Sequence, residues 1–180
     1  MSKLVLLSGC SGGGKSTLLA ELAKRGFAVT EEPGRRIVKQ QLESAGDALP
    51  WVNMAGFAQR AIGMAVQDLQ NAQKQSRLTF FDRGLIDAVA ALHHATGEAI
   101  SNDLVAQNRY HDEVFMTPPW PEIYHADAER RLKIEDAIAE YERLRQVFPA
   151  LGYRVRVLPK LAVEQRADFV LRHLPRELFL

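Results

Sequence analysis

The sequence predicts an α/β domain, a five-stranded parallel sheet with helices on both faces, and three observations predict it. Short apolar runs alternate with longer segments of helical spacing along the whole chain, the pattern of parallel strands joined by crossover helices. A glycine-rich turn, Gly9 to Gly14, joins the first apolar run to the first helical segment. The 180 residues also hold no internal repeat, low-complexity tract or Pro/Gly/Ser linker, so one domain with a single sizeable core is expected.

Taken in order, residues 4–8 form the first strand and residues 15–25 the helix after the glycine turn, stopped by Gly26. Residues 27–30 are a second, short strand ending at Glu31-Glu32-Pro33-Gly34. A helix over 35–45 follows, with Ile37, Val38, Gln41 and Leu42 on one face, and then a loop over 46–50. A long helix over about 52–75 carries Met54, Phe57, Ala61, Met64, Ala65 and Leu69 at helical spacing. The third strand is 78–82, followed by a helix over about 85–95 and a short one near 103–109 that Ser101 can cap. Residues 113–116 are the fourth strand, leading into Thr117-Pro118-Pro119-Trp120-Pro121, which is not regular structure. An amphipathic helix over 134–148, a fifth strand over 154–158 and a closing helix over 163–174 complete the chain. Right-handed crossovers place helices on both faces, and ligands at the carboxyl ends of the strands.

Composition narrows the function classes. A formal charge of +1 argues against a strong electrostatic footprint for duplex nucleic acid. Cys10 is the only cysteine, so no internal disulfide forms and a reducing compartment, the cytoplasm, is expected. No apolar run approaches the ~20 residues of a membrane span. The apolar run of Leu4 to Leu7 leads straight into glycines without a small-residue cleavage site and reads as a buried strand.

Gly9-Cys10-Ser11-Gly12-Gly13-Gly14-Lys15-Ser16 matches G-x-x-x-x-G-K-[ST] between a predicted strand and a predicted helix, the context this phosphate-binding motif requires. Glycines let the backbone curl so that N–H groups converge on phosphate oxygens, and the helix N-terminus adds to that field. The motif implies a nucleoside triphosphate, ATP, bound with Mg²⁺. Lys15 is expected to reach the β- and γ-phosphates, Ser16 to offer its hydroxyl to the metal, and Thr17 to assist near the α-phosphate. Cys10 reads as a small filler.

Other strand ends choose the chemistry. In ring and transporter ATPases the third-strand carboxylate is usually followed by a second acid that polarises water. Here Phe80-Phe81-Asp82-Arg83-Gly84 has arginine in that place, and no Asn-Lys-x-Asp run for guanine is present. Thr30-Glu31-Glu32-Pro33-Gly34-Arg35-Arg36 has the look of a phosphoryl-acceptor side. A carboxylate there, Glu31 or Glu32, can take a proton from an attacking hydroxyl, while Arg35 and Arg36 at the helix start can clamp an anionic acceptor. Asp82 is expected to hold Mg²⁺ or orient the acceptor, Arg83 to bridge phosphates, and Asp87 to be solvated. Arg130 and Arg131, in Asp127-Ala128-Glu129-Arg130-Arg131, suit a lid over about 127–133 that closes on the transferring group. His93-His94 reads as a surface pair. Trp51, Phe57 and Trp120 can stack on a base but are expected in the core.

These residues resemble the P-loop kinase group and, within it, the small AAA-domain ATPase/kinase-like family related to the ribosylnicotinamide kinase domain. The resemblance also runs through Gly46-Asp47-Ala48-Leu49-Pro50-Trp51 and Pro118-Pro119-Trp120-Pro121-Glu122-Ile123-Tyr124. Glu32-Pro33-Gly34 is similar to the Glu-Pro-Gly run of thymidylate kinases and Glu32-Pro33 to the Glu-Pro of deoxynucleoside kinases, where the Glu serves as base. Asp82-Arg83 is similar to the Asp-Arg or Glu-Arg pair of both groups, but Gly84 stands where they carry Tyr or Ser. The resemblance implies a helical substrate region over about 35–75 and a place for adenine near Pro159. The expectation is therefore an ATP- and Mg²⁺-dependent phosphotransferase acting on a small nucleoside- or nucleotide-like acceptor, without a membrane. A nucleotide-dependent ATPase switch with a protein partner and a polynucleotide 5′-kinase are the alternatives.

Overall fold

A computed structural model of the chain describes residues 2–124 and 133–180. Five parallel strands, β1 (Leu4–Gly9), β2 (Ala28–Thr30), β3 (Thr79–Asp82), β4 (Glu113–Thr117) and β5 (Arg154–Val157), lie in the order β2-β3-β1-β4-β5. The connecting helices are α1 (Lys15–Lys24), α2 (Pro33–Ser44), α3 (Met54–Gln75), α4 (Leu85–Thr96), α5 (Asn102–Gln107), α6 (Ile134–Ala150) and α7 (Val163–Arg172).

The period of two along β1 sorts the core into two layers. Leu4 and Leu6 face one layer with Phe81, Leu85, Met116 and Phe148, beneath α3, α4 and α6. Val5 and Leu7 face the other with Leu18, Leu22, Phe80 and Phe115, beneath α1 and α7. All four β1 side chains are at most 4 % exposed; burying each apolar chain of this size contributes about 1.5–3 kcal/mol. Both layers are needed because a central parallel strand has no solvent face. The sheet ends in two short edges, and β5 carries Arg154 and Arg156, charges that discourage pairing with another chain.

Three of the boundaries that differ from the sequence expectation do so for a clear local reason. Helix α2 begins at Pro33 rather than residue 35, because proline's fixed φ suits the first helical position, where its missing N–H leaves nothing unmet. Helix α3 begins at Met54, where the Asn53 side chain accepts the Gly56 N–H at 2.9 Å. Strand β2 contracts to three residues, and Phe27 packs edge-on against Phe80, centroids 5.5 Å apart. Ser101 caps α5 as expected, accepting the Leu104 N–H at 3.2 Å. Among the described residues no helix is long and apolar enough to cross a membrane.

Candidate active site

Strands β1, β2, β3 and β4 deliver Gly9, Thr30, Asp82 and Thr117 to one edge of the sheet. At Gly9 the backbone takes φ 111°, and a Cβ there would overlap the Thr117 main chain. Only glycine lets the chain pass so close, and the Cys10 N–H then donates to the Thr117 carbonyl at 2.9 Å. Gly12 and Gly14 are also left-handed, at 78° and 82°, curling the loop into the first turn of α1. Cys10 is buried filler, 1 % exposed. Lys15 is buried too, and its ammonium donates to the Cys10 carbonyl at 2.9 Å, across the loop. Burial, then the nearby Arg83 charge, lowers the Lys15 pKa. Ser16 and Thr17 are exposed on that first turn, whose amides have no partner within the helix.

The Ser16 hydroxyl donates to Asp82 Oδ2 at 3.2 Å. Asp82 is 4 % exposed, and its Oδ1 is buried without a hydrogen-bond partner. Burial first, then the neighbouring Glu32 charge, raises its carboxyl from 3.8 to about 6. An orphaned, desolvated carboxylate oxygen next to a serine hydroxyl fits a hard divalent cation. No group of three His, Cys, Asp or Glu among the described residues could cage a metal. The donor set fits Mg²⁺, which takes one or two protein ligands and completes its shell with phosphate and water.

Arg83 sits at the centre of an acidic cluster. Its fork meets Glu140 on α6 at 2.9 and 3.1 Å, and it also donates to Asp87 at 3.2 Å and the Gly9 carbonyl at 3.1 Å. Its Nε lies 3.5 Å from Glu32. Burial opposes the charge, but Glu140, Asp87 and Glu32 outweigh it and hold the guanidinium above its ordinary pKa. The residue is left-handed, φ 55°, with its N–H donated to the Leu7 carbonyl at 2.8 Å; for a non-glycine residue that conformation costs about 1–2 kcal/mol. Next to it, a Cβ on Gly84 would run into the Tyr110 hydroxyl, which accepts the Leu85 N–H at 3.0 Å. That close approach accounts for glycine where the similar kinases carry Ser or Tyr.

Asp87 overturns the expectation of a solvated side chain. It is 7 % exposed, accepts the Ser8 hydroxyl at 2.5 Å, and turns back to take the Gly84 N–H at 3.1 Å. The reversal has a positional cause: the third residue of a helix can reach back to the amide of the capping residue, and β1 brings Ser8 against it. Burial pushes the Asp87 carboxyl up, against the pull of Arg83 and Ser8.

Beyond Glu32 opens a cleft of about 530 Å³ between α2, α3, α4 and α6, within the size range of small-molecule sites. Its lining is apolar at Val38, Met54, Phe57 and Ala61 and charged at Glu32, Arg83, Asp87 and Glu140. Arg35 lines the cleft and stands 3.5 Å from Glu32. Arg36 does not line it: its fork grips Asp68 and ties α2 to α3. Glu31 is exposed and also outside the cleft lining. Arg130 and Arg131, with nearly all of the expected lid, lie outside the described residues. Trp51, Phe57 and Trp120 are not in the fully buried core; Trp51 and Phe57 line the cleft, and Trp120 lies beside Arg166. His93 and His94 are exposed on α4, as expected.

Sequence reasoning missed Glu140, Asp87 and Arg166. Arg166, 5 % exposed, donates to the Gly14 carbonyl at 3.1 Å. One signal was available: it interrupts the apolar stripe of Val163, Ala167 and Val170 on α7, and a charge on a buried face has a partner or a task.

Solved structures similar to this chain include kinases. The chain is similar to deoxyadenosine kinase from M. mycoides with bound dATP, at 15% identity and TM-score 0.67, covering 94% of this chain and 97% of that one. It is also similar to shikimate kinase from Acinetobacter baumannii in complex with shikimate, at 16% identity and TM-score 0.58, covering 96% and 92%. Thymidylate kinase from Ehrlichia chaffeensis matches at 18% identity and TM-score 0.55, covering 97% and 99%. No curated protein sequence matches. The family model described as AAA domain spans residues 4–166, from β1 to the Arg166 that backs the phosphate loop. With that span and this P-loop kinase fold, the chain belongs to the AAA-domain family.

Proposed function

We propose that the protein transfers the γ-phosphoryl group of ATP, with Mg²⁺, to a hydroxyl or phosphate of a small nucleoside-like acceptor held in the cleft. The observation that carries this reading is the position of Glu32. It lines the cleft, 3.5 Å from Arg83, just past the end of β2 on the strand-end edge that also carries the phosphate loop. For a hydroxyl acceptor, Glu32 takes the proton as the acceptor oxygen bonds to the γ-phosphorus, the bond to the β-phosphate oxygen breaks, and ADP leaves. Lys15 and the amides of the loop neutralise charge on the transferring end, and Arg83 holds Glu32 and Gly9 in register. Mg²⁺ held by Ser16 and Asp82 would supply further charge neutralisation on the phosphates. The apolar wall orients the acceptor and excludes water, which disfavours idle hydrolysis.

The test is ATP consumption by the purified protein against panels of nucleosides, nucleotides and hydroxy acids. Turnover is expected to rise sharply with one chemical class. A rate indifferent to every acceptor overturns the reading.

A further inference from the structure

Among the described residues Arg166 is a buried cation without a counter-charge. Among the described residues no carboxylate pairs with it, its Nε is buried without a hydrogen-bond partner, and burial alone lowers its pKa. What holds it is one carbonyl, that of Gly14, and the ring of Trp120, whose centroid lies 5.4 Å from the guanidinium carbon. Buried charges are ordinarily paired, because an uncompensated one is expensive to desolvate. Three neighbouring guanidiniums do have acids: Arg83 has three, Arg35 has Glu32 and Arg36 has Asp68. An anion from outside the chain would supply such a partner.

The sheet order says which part of the ligand that is. Glu32, Asp82 and Arg83 stand at the ends of β2 and β3, on one side of the loop; Trp120 and Arg166 stand on the β4 and α7 side. A triphosphate lying in the loop with its transferring end toward Glu32 has its other end, and its base, on the β4 side. The segment after β4 walls that side closely. A Cβ on Gly12 would overlap the Tyr124 ring, and one on Gly14 would stand 3.3 Å from Ile123 Cδ1 and 2.7 Å from the Arg166 guanidinium. The half-buried Trp120 indole ends this wall.

We propose that Arg166 and Trp120 form the far end of the donor site, the guanidinium as counter-charge to the phosphate chain and the indole as the stacking surface for the base. The proposal rests on the loop being the ATP site and deepens that reading. Stacking on an indole tolerates any base, since every base has a π-face. ATP and GTP therefore bind with similar affinity, whichever acceptor fills the cleft.

Calorimetric titration with Mg²⁺, using inorganic tripolyphosphate and ATP side by side, separates the two roles. Arg166→Met is expected to weaken both ligands about tenfold, whereas Arg166→Lys, which keeps the charge, stays within about threefold of wild type. Trp120→Ala is expected to weaken ATP about tenfold and leave tripolyphosphate within twofold, and Trp120→Phe restores most of the loss. The proposal is overturned if Trp120→Ala affects both ligands equally or neither, or if Arg166→Met leaves tripolyphosphate binding intact. If the wild-type protein binds neither ligand, the phosphate-loop reading itself fails, a result distinct from either variant outcome.

Discussion

The two halves of the site are built by different means. The phosphate loop is made of consecutive residues, Gly9 to Ser16, and its recognition groups are main-chain amides whose positions follow from glycine conformations. The proposed acceptor cleft draws Glu32 from the turn between β2 and α2, Phe57 from α3, Asp87 from α4 and Glu140 from α6, elements that only the fold brings together. The contrast teaches that one half is set by local backbone and the other by tertiary packing, so they are expected to fail independently.

The largest expected effect tests that independence. Glu32→Gln removes the proposed proton acceptor and is expected to lower transfer about 10²–10⁴-fold, while the dissociation constant for ATP stays within twofold; loss of ATP binding as well would join the halves. Lys15→Ala is the converse. Losing a charge-assisted contact to the phosphates is expected to weaken ATP about 10–100-fold, with acceptor binding unchanged by calorimetry.

Asp82 lies at the junction and links the halves to pH. Its carboxyl is raised from 3.8 to about 6 in the folded protein, so the folded state holds the proton more tightly than the unfolded chain. The resulting stability is fully present below about pH 4 and is lost as pH rises through about 6. Asp82→Asn does not ionise, and at pH 7.5 it is expected to stabilise the nucleotide-free protein by on the order of 2 kcal/mol. Thermal melts at pH 4 and 7.5 check this, the gain appearing only at the higher pH. The same variant loses the extra stabilisation that Mg²⁺ gives with ATP. Phe57→Ala is the smallest effect: removing part of the apolar wall is expected to raise KM for the acceptor about fivefold, leaving KM for ATP unaltered.

The same division explains what could be read in advance. The loop, the succession of strands and helices and the acid at the end of β3 were legible because each is encoded by neighbours in the chain. The roles around the cleft were not. Asp87 looked solvated because its partner Ser8 is remote in sequence. Arg36 looked like an acceptor clamp because Asp68, which occupies its fork, sits on another helix. Glu140 lies among the many charges of α6, and nothing in its own helix marks it as the residue that faces Arg83. Asp87 illustrates the general case: a helix-start acid has two local readings, solvated or capping, and only the strand beside it decides.

The contact between residue 84 and Tyr110 has an evolutionary corollary. A chain with any side chain at 84 has to surrender the phenol that grips the Leu85 amide, and a chain that keeps the phenol is confined to glycine. Neither change is accessible alone without a clash or a stranded amide, so the two positions drift only as a pair. In this protein that lock sits directly after the Asp82-Arg83 pair, and it walls off the Ser- and Tyr-bearing versions of the motif by a double substitution.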